Sequence, residues 1–287
     1  MRRLNKRYRS MKRIMLHLFL VAGVMFATTQ AAKIQEVKIP SLSMQCEIPA
    51  TVLLPDSYTT GNRTYPVVYL LHGYSSNHHT VLDFAEDVFT TAVDTYQIIV
   101  FLPDGGYNSW YFDSPVQPEK KYETHIGEAI TFVDDHYRTI SCADGRVITG
   151  GSMGGHGAMF FGLRHKDLFC AIGTMSGAVD FRPWPDGWDI EKVLGSKEQF
   201  PQRWDEHVVV NNLDKLKPGD LSIYIDVGTQ DAFLEVNRAL HQKLLEMGFD
   251  HIYVERPGHH DNPYWRQAIK YQLFYFSQLF KERLQKL

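Results

Sequence analysis

The residues best suited to chemistry surround a serine, Ser152, in the segment Gly150 to Gly155. This segment contains the G-x-S-x-G pattern, in which a sharp turn between a strand and a helix presents a nucleophilic serine above a β-sheet. Arg146 to Thr149 is rich in β-branched residues, and Ala158 to Leu163 has helical spacing. Because such a short pattern also arises by chance, it indicates catalysis only where suitable partner residues follow.

A serine hydroxyl needs a base and an acid, which in this arrangement follow the serine in the order Asp, His. Asp231 comes directly after the apolar segment Ser222 to Val227, and His260 follows the last predicted strand, His251 to Glu255. Both lie in loops at strand ends. We therefore predict that Ser152, Asp231 and a histidine of this last loop, His260 or its neighbour His259, form a catalytic triad.

The sequence leaves other roles open for these loops. Asp231 also suits the N-cap of the helix that follows it, and His259 is an alternative base. Asp226 lies inside a predicted strand, and we expect it to face away from the site. A metal site of His259, His260 and Asp261 is not expected, because adjacent side chains rarely converge on one ion. No cofactor is predicted.

Alternating strands and helices must position these residues. Apolar runs predict strands at residues 34–39, 44–54, 66–71, 98–102, 146–149, 171–175, 221–227 and 251–255, and helical spacing predicts helices near 124–138, 158–163, 233–247 and 265–284. We expect an α/β fold with a mostly parallel central sheet that helices cover on both faces. The site is then expected at the carboxyl ends of the strands.

An irregular segment, residues 180–220, interrupts this pattern after the sixth predicted strand. It is rich in proline and tryptophan and has no clear period: Pro183, Trp184, Pro185, Trp188, Pro201, Trp204 and Pro218. We expect an insertion over the strand ends, either a functional lid or binding loop or a passive surface excursion. The predicted organisation is a single catalytic domain, residues 32–287, that contains this insertion.

The first 31 residues have the pattern of a secretory signal peptide. Seven basic residues between Arg2 and Arg13 precede the apolar run Ile14 to Ala27, and small and polar residues follow it. The run is shorter than the about 20 residues that span a membrane. We expect cleavage near Ala31 and a secreted or periplasmic protein without a stable membrane span, with an uncleaved anchor as the alternative.

Composition narrows the class of protein further. The chain has 287 residues, 44% of them hydrophobic, and a formal net charge of -3, which allows a large core and gives no sign of nucleic-acid binding. Three cysteines exclude a disulfide-stapled miniprotein. Cys142 and Cys170 flank neighbouring predicted strands and either form one bridge or remain free thiols. Nothing in the sequence indicates the oligomeric state.

Together these segments resemble the esterase family of α/β-hydrolases that includes esterase D, tributyrin esterase and family 1 carbohydrate esterases such as feruloyl and acetylxylan esterases. The resemblance runs from about Val52 to Phe276 and rests on Tyr65 to Gly73, Pro103 to Gly105, Ser109 to Tyr111, Gly150 to Gly155, Gly228 to Asp231 and Gly258 to Trp265. It implies that His260 is the base. Asn262 stands where this family often has an aromatic residue, which we expect to alter the pocket rim.

The resemblance and the triad together imply a serine carboxylesterase that works through an acyl-enzyme. We expect the backbone N–H groups of Tyr74 and Met153 to form the oxyanion hole. Tyr107, Trp110 and Tyr111 are expected either to stack on a sugar ring or an aromatic acyl group or to pack within their loops. His78 and His79 are expected to be exposed loop residues.

Secretion favours esters of extracellular polymers as substrates, either as small molecules or as oligosaccharide fragments. The sequence does not separate feruloyl, acetyl and simple short-chain esters. Two other functions are compatible with this fold: that of a non-catalytic carbohydrate-binding protein and that of an acyltransferase of the mycolyltransferase type. An intact triad argues against the first of these, and only product analysis separates the second from an esterase.

Overall fold

The computed structural model describes residues 32–286, so the predicted signal peptide lies outside the described residues. The described part of the chain contains eight strands: β1 (Lys33–Ser41), β2 (Cys46–Leu54), β3 (Val67–Leu71), β4 (Ile99–Pro103), β5 (Arg146–Gly150), β6 (Ala171–Met175), β7 (Ser222–Gly228) and β8 (Ile252–Arg256). All five residues of β3, β4, β5 and β6 are buried. Continuous apolar runs of this kind are typical of strands that helices cover on both faces.

The eight strands form one sheet in the order β1-β2-β4-β3-β5-β6-β7-β8. β1 and β2 pair antiparallel, β2 pairs antiparallel with β4, and the remaining neighbours pair parallel. The carboxyl ends of β3 to β8 therefore meet at one edge. β5, which leads into Ser152, lies near the middle of that edge.

Helices cover both faces of the sheet. The longer ones are α1 (Leu82–Tyr96), α2 (Tyr122–His136), α3 (Met153–Arg164), α6 (Leu234–Glu246) and α7 (Asn262–Leu284), and α4 (Ile190–Leu194) and α5 (Pro201–His207) are short. Helices α1 and α7 share one apolar core with the sheet, and α2, α3 and α6 share the core on the opposite face. The predicted α/β fold, with a mostly parallel sheet between helices, is confirmed.

The predicted insertion, residues 180–220, lies between β6 and β7. It contains α4, α5 and a 3₁₀ helix, Val209–Lys215, so it has more regular structure than its sequence suggested. Trp204 is fully buried, and its indole Nε1–H donates to the Gly195 carbonyl oxygen at 2.9 Å. This tryptophan therefore serves as the internal core of the insertion.

The described residues show the state of the three cysteines. Cys46, Cys142 and Cys170 are all free thiols, so the possible Cys142–Cys170 bridge is not formed. None of the helices between residues 32 and 286 combines the length and the apolar character that crossing a membrane requires.

Candidate active site

Ser152 lies in a tight turn between β5 and α3. Its φ of 55° and ψ of -121° are values that non-glycine residues seldom adopt. Three hydrogen bonds hold this backbone. The Ser152 N–H donates to the Met175 carbonyl oxygen at 3.0 Å, and the Ser152 carbonyl oxygen accepts from the N–H groups of His156 at 3.0 Å and Ala178 at 3.2 Å. The turn places the serine at the carboxyl end of β5.

The start of α3 requires a glycine. A Cβ on Gly154 would lie 2.1 Å from the Leu71 carbonyl oxygen and 2.5 Å from the His72 carbonyl oxygen. Both oxygens belong to the backbone of β3 and of the loop that follows it. Glycine therefore allows α3 to approach this loop closely enough for the loop to lie beside Ser152.

Ser152, His260 and Asp231 form a continuous hydrogen-bonded chain. Ser152 Oγ lies 2.9 Å from His260 Nε2, and His260 Nδ1 lies 2.8 Å from Asp231 Oδ2. With its proton on Nδ1, the imidazole donates to the carboxylate and leaves Nε2 free to accept the serine proton. The structure thus brings the three predicted residues together at distances suited to general-base catalysis.

The two carboxylate oxygens of Asp231 have different partners. Oδ2 contacts His260, and Oδ1 accepts from the Phe233 backbone N–H at 2.8 Å, just before α6 begins. This contact belongs to the turn before α6 and is not an N-cap, because Phe233 occupies the N-cap position and no side chain caps the helix; the alternative role of Asp231 as a helix cap is therefore not formed. Burial raises the pKa of Asp231, but hydrogen bonds from His260 and Phe233 more than offset burial and lower this pKa below its usual value. The carboxylate is thus ionised at neutral pH.

Aromatic rings contact His260 on its flanks. The ring centroids of Phe233 and Trp265 lie 5.1 and 4.9 Å from that of the imidazole, and Trp265 meets it edge to face. These contacts limit rotation of the imidazole. They favour the orientation in which His260 bridges Asp231 and Ser152.

Two residues that the sequence analysis considered beside the triad, His259 and Asp226, do not take part in its hydrogen bonds. His259 is exposed. Asp226 is fully buried, and its carboxylate accepts hydrogen bonds from Arg256 and Tyr264; burial raises its pKa to about 6. No group of three or more His, Cys, Asp or Glu residues within 32–286 is arranged to hold a metal ion.

The loop after β3 carries Tyr74, one of the two predicted oxyanion donors. A Cβ on Gly73 would lie 3.5 Å from Ser152 Cβ, so this loop passes directly beside the nucleophile. Within residues 32–286, neither the Tyr74 N–H nor the Met153 N–H donates to a backbone acceptor. Both donors are therefore available to a ligand, as the prediction requires.

His72 fixes the position of this loop. Its Nδ1 donates to the Gly73 carbonyl oxygen at 2.8 Å, and its Nε2 accepts from the Gly105 N–H at 2.8 Å. This pattern requires a neutral imidazole, and burial lowers the pKa of His72 accordingly. Through these two bonds His72 joins the Gly73–Tyr74 segment to the loop after β4.

A cavity of about 190 Å³ opens beside Ser152 and His260. Its apolar wall comes from strand ends and from the amino-terminal ends of α1 and α7, and it includes Leu70, Val81, Phe84, Leu102, Met175 and Trp265. Trp188 of the insertion and Asn262 also line it. The insertion thus contributes directly to the candidate site.

The aromatic residues predicted near the substrate lie outside this cavity wall. Trp110 and Tyr111 are 1% and 0% exposed, so they pack within their loops and do not stack on substrate. Trp110 Nε1 donates to the Trp188 carbonyl oxygen at 3.1 Å, and Tyr111 Oη donates to the His72 carbonyl oxygen at 3.0 Å. Tyr107 is 59% exposed and packs edge to face on Tyr74.

Comparison with known proteins agrees with this geometry. Residues 41–276 match the family model described as "Putative esterase". The chain belongs to this esterase family. The resemblance inferred from the sequence is therefore confirmed, and the match includes every residue of the hydrogen-bonded chain.

Similar proteins include several esterases. An acetyl esterase of Caldicellulosiruptor saccharolyticus is 30% identical over 220 residues, which cover 70% of this chain and 79% of the relative. An esterase of Mycobacterium tuberculosis is 37% identical over 136 residues, or 46% of this chain, and the match spans only 29% of that relative's length.

Solved structures agree with these sequence matches. A ferulic acid esterase has a TM-score of 0.74 at 27% identity, covering 86% of this chain and 99% of that one. An S-formylglutathione hydrolase of Staphylococcus aureus, with a TM-score of 0.73, 22% identity and the same coverage, shares the fold. The ferulic acid esterase and the acetyl esterase are both named as esterases, in agreement with the family match.

Sequence reasoning missed several residues of the cavity. His78 was expected to be exposed, yet it lines the cavity with its side chain only 16% exposed. Phe84 and Trp265 were not singled out as wall residues. One feature of the sequence could have indicated that His78 is not simply exposed. Asp104, in the Pro-Asp-Gly segment 103–105, follows a neighbouring strand and is an acidic residue with which His78 can pair.

Proposed function

We propose that the esterase is secreted and uses Ser152, His260 and Asp231 to cleave short-chain, acetyl or feruloyl esters of plant-type polysaccharide fragments. The hydrogen-bonded chain from Asp231 through His260 to Ser152, next to a cavity of substrate size, carries this proposal. The arrangement supplies a nucleophile, a base and an orienting acid in one place.

In the first half of the reaction, His260 Nε2 accepts the proton of Ser152 Oγ as the oxygen attacks the ester carbonyl carbon. The N–H groups of Tyr74 and Met153 bind the negative charge that develops on the carbonyl oxygen. His260 then returns the proton to the leaving alcohol oxygen as the carbon–oxygen bond breaks. The product is an acyl group esterified to Ser152.

The second half repeats these steps with water. His260 removes a proton from the water as it attacks the acyl carbon, and the proton then passes to Ser152 Oγ when the acid is released. Asp231, ionised at neutral pH, stabilises the imidazolium that forms in each half. The buried carboxylate and the two free N–H groups are in place before substrate arrives, which is the preorganisation that this chemistry needs.

The choice of substrate rests on two supports. The basic and apolar leader of residues 1–31 favours export, and extracellular polymers carry the acetyl and feruloyl esters that the names of two relatives mention. Release of acetate and of ferulate from substituted xylan oligosaccharides measures which acyl group the enzyme prefers.

Replacing Ser152 by alanine tests the mechanism. We expect kcat for p-nitrophenyl acetate to fall by about 10⁶-fold, to background, because the nucleophile is lost. Ser196→Ala, in the insertion and outside the cavity wall, is the matched control and is expected to keep wild-type kcat. Near wild-type turnover by Ser152→Ala would refute the assignment.

Labelling and product analysis separate the competing functions. A fluorophosphonate is expected to label Ser152 in the wild type and not in Ser152→Ala, whereas a non-catalytic binding protein would not react. Added alcohols then distinguish hydrolysis from acyl transfer. We expect free acid to remain the main product, and a predominant new ester would indicate a transferase.

A further inference from the structure

His78 lines the cavity and forms a second His–Asp pair, separate from the triad, with Asp104 behind it. His78 Nδ1 lies 3.1 Å from Asp104 Oδ2, and the His78 backbone N–H donates to the same oxygen at 3.3 Å. The other oxygen of Asp104 accepts from the Gly106 N–H at 2.8 Å. These contacts hold the imidazole of His78 in one orientation at the cavity wall.

The pair leaves one ring nitrogen available. Burial raises the pKa of Asp104, but the neighbouring His72 and hydrogen bonds from Gly106 and His78 outweigh burial and lower this pKa, so Asp104 is ionised. The carboxylate accepts a hydrogen bond from Nδ1–H, and a ring with its proton on Nδ1 presents Nε2 as an acceptor. Among residues 32–286, the Nδ1 contact is the only hydrogen bond of the His78 ring.

The sheet order shows where this acceptor lies relative to the nucleophile. Asp104 follows β4 and Ser152 follows β5, with β3 between them. Neighbouring strands are about 4.8 Å apart, so the two loops are separated by roughly 10 Å. His78 is therefore placed to meet the far end of a bound group and not the ester bond itself.

The space between the two ends suits a ring. An apolar cavity of about 150 Å³ accommodates a benzene molecule, and this cavity has about 190 Å³. The side chains of Val81, Phe84 and Met175 form part of its apolar wall. An acetyl group alone would leave most of this space unfilled, whereas an acyl group with one aromatic ring would occupy it.

The acyl side of the ester is the part that fits. In an ester of a polysaccharide fragment, the alcohol side continues into the sugar chain, which a cavity of this size cannot hold. The acyl group ends freely and can enter. This step rests on the proposed function, with Ser152 as the nucleophile.

We propose that His78, oriented by Asp104, is a specificity-determining residue that accepts a hydrogen bond from a hydroxyl group on the ring of an aromatic acyl group. The substrate class is therefore esters of hydroxylated aromatic acids. A site built around such an acceptor discriminates against analogues without the hydroxyl, because they leave the acceptor unpaired.

Two isosteric substrates test the proposal: methyl 4-hydroxycinnamate and methyl 4-methylcinnamate. The wild type is expected to favour the hydroxyl compound in kcat/KM by roughly tenfold, the worth of one good hydrogen bond. His78→Phe is expected to bring this ratio close to one. His79→Gln, at an exposed neighbouring position outside the cavity wall, is the matched control and is expected to keep the wild-type ratio.

The ratio does not depend on the fraction of folded enzyme, because both substrates are measured on one preparation. His78→Asn provides a second variant if His78→Phe does not accumulate. A wild-type ratio near one, or an unchanged ratio in the His78 variants, would overturn the proposal. An equal loss of activity toward both substrates with the ratio preserved would also overturn it, since that result would indicate a purely structural role for His78.

Failure of this inference is distinguishable from failure of the proposed function. If the wild type cleaves p-nitrophenyl acetate but neither cinnamate, only the role of His78 is refuted. If the wild type cleaves none of the three esters, the proposed function fails, and the inference fails with it.

Discussion

Replacing Gly154 by alanine tests whether the close crossing of α3 and β3 sets the geometry of catalysis. The new Cβ would lie 2.1 Å from the Leu71 carbonyl oxygen, about 1.3 Å short of the 3.4 Å at which ordinary contact begins. The atom it meets belongs to the backbone of β3. No change of rotamer relieves the overlap, so α3 must move away from β3.

The expected effect follows from that movement. The first residue of α3 is Met153, whose N–H is a predicted oxyanion donor, and Ser152 directly precedes it. A displacement of about 1 Å at such a site costs on the order of 10²-fold in rate. Overpacking of this kind also destabilises a fold by about 1–3 kcal/mol. We therefore expect Gly154→Ala to lose about 10²-fold in kcat/KM and to unfold at lower urea concentration.

The assay is kcat/KM for p-nitrophenyl acetate, with active sites counted by fluorophosphonate titration so that unfolded protein does not contribute. Gly127→Ala is the matched control. Gly127 lies within α2, and no atom lies within 4 Å of its added Cβ. This control is expected to keep wild-type kcat/KM and to gain about 0.5–1 kcal/mol of stability, because alanine favours a helix interior.

Retention of kcat/KM within threefold by folded Gly154→Ala would refute the reasoning. If that variant does not fold, Gly155→Ala gives a milder version of the same test. Its Cβ would meet the Thr174 hydroxyl at 2.4 Å, a side-chain atom that can rotate away, and the nearest backbone atom at 3.0 Å. We expect a loss in the same direction but smaller.

Two other predictions concern carboxylates. Asp231→Asn is expected to lower kcat for p-nitrophenyl acetate by about 10⁴-fold, because His260 loses the acceptor that fixes its proton on Nδ1; activity near wild type would mean that another group orients His260. Glu123 accepts hydrogen bonds from Arg164 at 2.6 Å and His165 at 3.1 Å, and these partners outweigh burial and lower its pKa below the usual 4.5. A lowered folded-state pKa stabilises the protein above pH 4.5, and this stabilisation is lost as the pH falls through the folded-state pKa. The measurement is the unfolding free energy of wild type and of Glu123→Gln in urea. The difference between the two is thus expected to be largest at pH 7 and to shrink below about pH 4.5. A difference that stays constant from pH 7 to pH 3 would contradict this account.

The strands and the triad could be predicted because their signals are local. A parallel strand covered on both faces is a continuous apolar run, and such runs marked β3, β4, β5 and β6. The triad loops follow strand ends, so the expected parallel sheet also predicted that Ser152, Asp231 and His260 lie at one edge of the sheet.

Helix α1 was not predicted, because its sequence carries weak boundary signals. It begins after Val81 with no side-chain cap and ends at Gln97 with a left-handed backbone, where glycine is the usual residue. Its buried residues pack against the sheet and α7. Contacts that are distant in sequence therefore stabilise this helix more than its own capping residues do.

Burial of the aromatic loop residues was also beyond local reasoning. Trp110 and Tyr111 follow a strand end closely enough to suggest contact with substrate. Their burial depends on partners far along the chain, because Trp110 packs on His156 and Phe181 at ring distances of 5.7 and 5.3 Å. Only the folded insertion decides which aromatic residues line the cavity.

Left-handed backbone conformations gather around the site. Seven of the nine non-glycine residues with positive φ within 32–286 belong to loops at this edge of the sheet: Ser75, Trp110, Tyr111, Ser152, Ser176, Trp188 and Asp189. Each costs about 1–3 kcal/mol and persists only where neighbouring contacts enforce it.

The insertion supplies some of these contacts. Trp110 Nε1 donates to the Trp188 carbonyl oxygen, and Tyr74 Oη donates to Asp189 Oδ2 at 3.1 Å. Tyr74 also carries a predicted oxyanion N–H, so the same residue joins the insertion to the catalytic loop. Since Trp188 lines the cavity, the insertion both shapes the wall and stabilises the strained loops beside Ser152, which a passive surface excursion would not do.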